Sequence, residues 1–182
     1  EMAERYPNVQ VFNHRWDRPD ALQTIGVISS QEAHNLTEGI LTEEVPVTLN
    51  RMIFDYDQLV ICGPVFPHEV VGFSGGAKYL FPGIAGANII NFTHWLGARL
   101  TSMHTIGVKD TLVRRVIHRA AEFVPRPILC MSLVLKGEEL HGLYIGSYEE
   151  AYSHAADLSG QLNIIKVEHP FKRVLSMPAQ HY

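Results

Sequence analysis

Apolar side chains recur along this chain with two periods, and the switches between them sketch its elements. Short alternating or continuous apolar runs predict strands at Val9 to Phe12, Thr24 to Ile28, Val45 to Leu49, Gln58 to Gly63, Ile128 to Leu135, Leu140 to Ile145, Leu162 to Val167 and Arg173 to Leu175. Pro46 cannot donate to a ladder and marks its strand as an edge. The run from Gln58 to Gly63 reads as the central strand. Elsewhere the spacing is helical. Glu1 to Tyr6 reads as the tail of a helix stopped by Pro7, Ser30 opens a short helix, and Asn50 caps a turn through Phe54. Residues 87–100 form a helix with Ile90, Trp95 and Leu96 toward an apolar side. Asp110 is placed to cap the next helix. Its Leu112, Val113, Val116, Ile117, Ala120 and Ala121 make one face, and Arg114, Arg115 and Arg119 face solvent, before Pro125 and Pro127 end it. Ser147-x-x-Glu150 is a capping box for a helix to about Leu158. The two runs joined by residues 136–139 predict an antiparallel hairpin. The alternation as a whole predicts an α/β fold: a mixed sheet with helices on both faces and an embedded β-hairpin.

Length and composition narrow the class. A chain of 182 residues is expected to form a single domain with a real core. With 46% hydrophobic and 19% charged residues and a net charge of −4, the mild acidic balance argues against a nucleic-acid surface. No apolar stretch approaches the ~20 residues needed to span a membrane. Cys62 and Cys130 each lie in an apolar run and read as buried thiols, suited to a reducing cytoplasm. The chain opens Glu1-Met2 and ends just after an apolar run. Residues 1–182 are therefore read as one α/β domain, truncated at both ends and belonging to a longer protein.

The chemistry concentrates between His68 and His94. The run Gly72-Phe-Ser-Gly-Gly76 follows the apolar strand and precedes Lys78, which sits on a short helix that Pro82-Gly83 must end or kink. Adjacent glycines permit positive φ and a close backbone approach, and successive N–H groups can cradle an anion. Taken alone, Ser-Gly-Gly-x-Lys is more often a structural turn than a phosphate site. It lacks the first glycine and spacer of a P-loop, and Tyr79 stands where that loop has Ser or Thr. A lone histidine such as His94 is more often a core or surface residue than a ligand.

The whole string is more specific. His-x3-Gly-Phe-Ser-Gly-Gly-x-Lys-x3-Pro-Gly, with His94 one segment later, resembles the lactate racemase family, whose members use a nickel-pincer nucleotide tethered to a lysine. The resemblance implies that Lys78 carries the thioamide link to the cofactor, that His94 is the protein ligand to nickel, and that His68 is one of two catalytic histidines. It implies a 2-hydroxy acid such as lactate as substrate, racemised by hydride transfer with histidine acid–base catalysis. Ser74, Gly75 and Gly76 are expected to donate to the cofactor phosphate or the substrate carboxylate. The family's other catalytic histidine lies upstream of the motif, and neither His14 nor His34 has a matching context. This stretch alone is therefore expected to be inactive, as part of an N-terminal catalytic domain. Two other readings stay open. One is a phosphate- or nucleotide-binding transferase using Gly72 to Lys78, with Glu69 or Asp57 for magnesium. The other is a non-catalytic relative that binds a small acid or metal.

Overall fold

A computed structural model describes residues 5–169, 171–175 and 177. The elements run β1 (Leu22–Ile28), α1 (Ser30–Leu36), β2 (Val45–Asn50), β3 (Leu59–Pro64), β4 (Pro67–His68), β5 (Gly72–Phe73), α2 (Ala87–Leu100), α3 (Ser102–Thr105), α4 (Leu112–Ala121), β6 (Ile128–Lys136), β7 (Glu139–Gly146) and α5 (Tyr148–Asn163). The class is α/β, as expected, and the strands fall into three small sheets. β1 and β2 form an antiparallel pair, as do β4 and β5, and the third sheet has the order β3-β6-β7. In that sheet β3 runs parallel to β6, and β6 and β7 form the expected antiparallel hairpin. β3 is thus an edge, and β6 takes the centre that the apolar run before the motif was expected to hold.

Period-two alternation divides this third sheet into unlike faces. Cys130, Ser132 and Val134 of β6 point inward with Ile61 of β3, against Ala151, Tyr152, Ala155 and Ala156 of α5. The other parity places Val60, Cys62, Leu143 and Ile145 outward; Val60 and Ile145 are each 56% exposed. Cys62 is therefore exposed where burial was expected, because it shares the parity of Val60, while Cys130 is buried as expected. The larger core lies between the β1–β2 pair and helices α2 and α4. Val47, Leu49, Phe81, Ile89, Leu96, Val116 and Ile117 meet there with almost no exposure.

Caps follow the sequence closely. The Ser29 hydroxyl accepts the Glu32 N–H, the Asn50 side chain accepts from Met52, and the Ser147 hydroxyl accepts from Glu150. At α4 the cap is Thr111 and not Asp110: the Thr111 hydroxyl accepts the Arg114 N–H. α5 runs on to Asn163, because Ser159 is buried on its packed face and Asn163 bonds the Leu135 carbonyl. The start of the expected Leu162–Val167 strand is thus helix, and residues 164–167 lack strand geometry. Val9 to Phe12 and Arg173 to Leu175 also form no strand. Both are exposed runs with no partner strand among the described residues, and an unpaired strand has no ladder to hold it. The expected helix at Glu1 to Tyr6 lies mostly outside the described residues. Among those described, no helix is long and apolar enough to cross a membrane.

Candidate functional site

β3 ends at Pro64, and the chain then doubles back through the tiny β4–β5 pair, in which His68 stands opposite Gly72. Gly75 and Gly76 follow with φ of 87° and 58°, the left-handed region that their adjacency anticipated. A Cβ on Gly75 would lie 2.4 Å from Val65, and one on Gly76 would lie 2.9 Å from Tyr152. The close approach they permit is therefore to the protein's own core. Their N–H groups donate to no backbone carbonyl among the described residues, and both glycines are buried. Ser74 is engaged within the turn. Its hydroxyl donates to the Pro64 carbonyl at 3.2 Å and accepts the Phe66 N–H at 2.9 Å, so its O–H is not free for a ligand.

The turn is held from one side by residues 105–114, a buttress the sequence reading did not anticipate. The Thr105 hydroxyl donates to the Glu69 carbonyl, the Thr111 hydroxyl to Val71, and the Gly107 N–H to Gly72. Arg114 donates from Nη2 to the Phe73 carbonyl and from Nη1 to the Gly75 carbonyl. Arg114 was expected to face solvent, yet it is 2% exposed, with its guanidinium 3.9 Å from the centre of the Tyr152 ring. Such a contact is worth about 2 kcal/mol when desolvated. No carboxylate pairs with Arg114 among the described residues. A signal for its burial was available. At about 100° per residue Arg114 lies only about 20° from Ala121, at one rim of the apolar arc, whereas Arg115 lies opposite and Arg119 sits at the other rim, beside Leu112. Those two do face outward, in ion pairs with Glu38 and Glu32.

Lys78 rides on a 3-10 turn, Gly76–Tyr79, that follows directly. It is partly buried and has no hydrogen-bond or salt-bridge partner among the described residues. Burial lowers its pKa below that of an ordinary lysine, and the Arg114 charge adds to the effect. His68 is likewise lowered, first by burial and then by the Lys78 charge, with Glu69 opposing. The Arg114 and His94 charges add further, smaller contributions in the same direction.

The two histidines differ in tautomer. His68 Nδ1 accepts the Val70 N–H at 3.1 Å, so the neutral ring carries its proton on Nε2. The Glu69 carboxylate, 3.5 Å from the same Nδ1, stands ready for the protonated ring. His94 sits on exposed surface of α2, with Nδ1 2.7 Å from the Ile90 carbonyl. A carbonyl only accepts, so this Nδ1 holds the proton and Nε2 presents a free lone pair. That is the arrangement of a metal-ligating histidine oriented by a backbone carbonyl. Among the described residues no three His, Cys, Asp or Glu side chains converge. Around the turn the predicted residues thus supply one outward imidazole, His94, and no metal cage. A lone imidazole and an uncommitted lysine fit a metal carried by a tethered organic group.

His14 bridges β2 and the loop before α2, with its Nε2 donating to the Ala85 carbonyl and its Nδ1 accepting from Asn50. Both nitrogens are used, which makes it structural. A groove of about 390 Å³ runs between Glu43, Glu44 and Trp95, but none of the predicted residues lines it.

The family model for the lactate racemase N-terminal domain matches residues 2–105, which include His68, Lys78 and His94. This chain belongs to that family. Its lactate racemase fold is also visible in solved structures. A Thermotoga maritima protein is 32% identical and superposes with a TM-score of 0.80 over 89% of this chain and 41% of its own length. The lactate racemase apoprotein of Thermoanaerobacterium thermosaccharolyticum shares the fold, with a TM-score of 0.67 at 20% identity over 86% of this chain and 36% of its own. The chain therefore spans well under half the length of either relative. No curated protein matches it. The family match ends within α3, so the Thr111 and Arg114 end of the buttress lies beyond it.

Proposed function

We propose that this chain is the lysine-and-histidine portion of a racemase or epimerase for a 2-hydroxy acid, lactate or a close relative, acting in the cytoplasm within a longer protein. The observation that carries the reading is the pairing of a partly buried, partnerless Lys78 with an outward His94 whose Nε2 lone pair is free.

The reaction explains the need for these groups. The C–H bond beside a carboxylate is a poor acid, so removing a proton would leave a strongly destabilised carbanion. Removing hydride leaves a flat 2-keto acid that can be reduced again on either face. No side chain accepts hydride, and the nickel-pincer nucleotide supplies that chemistry when bound. Lys78 holds this group covalently, and His94 Nε2 is the protein's ligand to its nickel, a metal that imidazole suits. The Gly75 and Gly76 N–H groups face the cofactor phosphate or the substrate carboxylate, and Ser74 keeps the turn in shape. His68 exchanges the substrate hydroxyl proton. Burial and the neighbouring cations favour its neutral form, which offers the Nε2 proton; uptake of a proton at Nδ1 breaks the Val70 hydrogen bond and turns that N–H to Glu69. Once Lys78 is acylated its charge is gone, which removes one of the effects that depress His68. The partner base and the rest of the substrate pocket belong to other parts of the protein.

The test is made on the whole protein, produced in cells that synthesise the cofactor and given one enantiomer of lactate. Both enantiomers should appear, and His68→Ala should slow their appearance by about 10²–10⁴-fold, the usual worth of a general acid–base group. Racemisation by His68→Ala at the normal rate would remove His68 from the mechanism. Failure to racemise any short 2-hydroxy acid would remove the activity itself.

A further inference from the structure

We propose that Arg114 is a positioning residue for Lys78: its buried guanidinium ties the Phe73 and Gly75 carbonyls to α4 and so fixes the turn from which the lysine projects. This deepens the reading above, in that it concerns how the tether is presented. Three observations carry it. The guanidinium spans two carbonyls two residues apart, on either side of Ser74, and a planar fork is pre-organised for this where a lysine ammonium is not. It is clamped from behind by the Tyr152 ring, which also blocks Gly76 from bearing a side chain. And it is a buried cation with no carboxylate beside it among the described residues and with Nε unbonded, a costly arrangement for a residue whose only task is packing. Gly75, whose carbonyl Arg114 holds, also accepts the Lys78 N–H at 3.2 Å, so the brace acts on the lysine through a single residue. The Arg114 charge, felt at Lys78, further favours the neutral amine that acylation requires.

The experiment uses the whole protein free of cofactor, so its result does not depend on whether the tether exists. Lys78 is acetylated with acetic anhydride across a pH series, with exposed Lys136 as the internal standard, and amide hydrogen exchange is followed at residues 72–80 and in β6. In the parent protein Lys78 should react with a pH midpoint below that of Lys136. Arg114→Met should move this midpoint up toward that of Lys136 and speed exchange across residues 72–80 by roughly 10-fold or more, leaving β6 unchanged. If Arg114→Met does not fold, Arg114→Lys carries the test. It keeps the charge but loses the rigid planar fork, so exchange in the turn should still rise. A folded Arg114→Met protein with the parent's midpoint and turn protection would overturn the proposal, as would unchanged turn exchange in Arg114→Lys. A normal labelling result in a protein that never acquires the cofactor would instead retain Arg114 as a brace and refute the tether.

Discussion

The turn from His68 to Lys78 is bonded from behind at the carbonyls of Glu69, Val71, Gly72, Phe73 and Gly75, whereas His94 stands on exposed helix surface with one bond, to Ile90. The first region carries a partly buried amine and an imidazole on a backbone tied at several carbonyls to residues 105–114. The second leaves a lone pair free in space, held only in orientation. The same contrast appears in the tautomers. A backbone N–H keeps the proton on Nε2 of His68, and a backbone carbonyl keeps it off Nε2 of His94. One residue type thus offers an N–H in one place and a free lone pair in the other, and the backbone group beside Nδ1 decides which.

Mutations can break this comparison at either end. The largest effect on stability belongs beneath the braced half. Phe81, fully buried below the lysine turn, should cost about 3–5 kcal/mol as Phe81→Ala in denaturant unfolding of the whole protein. On the open half, His94→Ala should leave stability unchanged but strip nickel from the loaded protein on dialysis. Activity should fall by more than the roughly 10–100-fold typical of losing a partner one shell further out.

The buttress carries its own pH signature. His118, one helical turn after Arg114, is partly buried edge-on to Tyr148 and Tyr152, and desolvation with the Arg114 charge lowers its pKa to about 4. In the unfolded chain it titrates near its ordinary 6.5, so the unfolded state takes up the proton first as pH falls. Stability from this group is complete above pH 6.5 and is lost progressively down to about 4. The thermal midpoint should fall across that window, and His118→Leu should flatten the fall. A smaller change is expected at Thr111, whose hydroxyl both caps α4 and bonds Val71: Thr111→Ala should cost about 1 kcal/mol. Trp95, exposed beside His94, should tolerate alanine within about 0.5 kcal/mol. Equal costs at Phe81 and Trp95 would erase the difference between the two regions.

The sequence made local features legible and distant ones illegible. α2 occupies residues 87–100 as its spacing predicted, and the hairpin and the Ser147 box are where they were expected, because each is set by neighbours a few residues apart. The left-handed turn at Gly75 and Gly76 was readable for the same reason. Arg114 was misread because its partners lie about 40 residues away, and charge argued for solvent more strongly than its place on the helical wheel argued against. The outward Cys62 was hidden by an apolar run that looks the same whether a strand is covered on one face or two. The strands expected near both ends failed because alternation supplies a pattern but no partner. Which nitrogen each site histidine offers was beyond reach, since it depends on which backbone group the fold brings beside the ring.

The central claim is the covalent role of Lys78. The whole protein, made in cells that synthesise the pincer cofactor, should be weighed intact under denaturing conditions and mapped by peptides across Gly72 to Tyr79. The account predicts a mass increase confined to Lys78, carrying sulfur and nickel, and abolished in Lys78→Arg. An unmodified Lys78, in cells where a known racemase of this family acquires its adduct, would contradict it and leave the turn as an anion-binding or purely structural device.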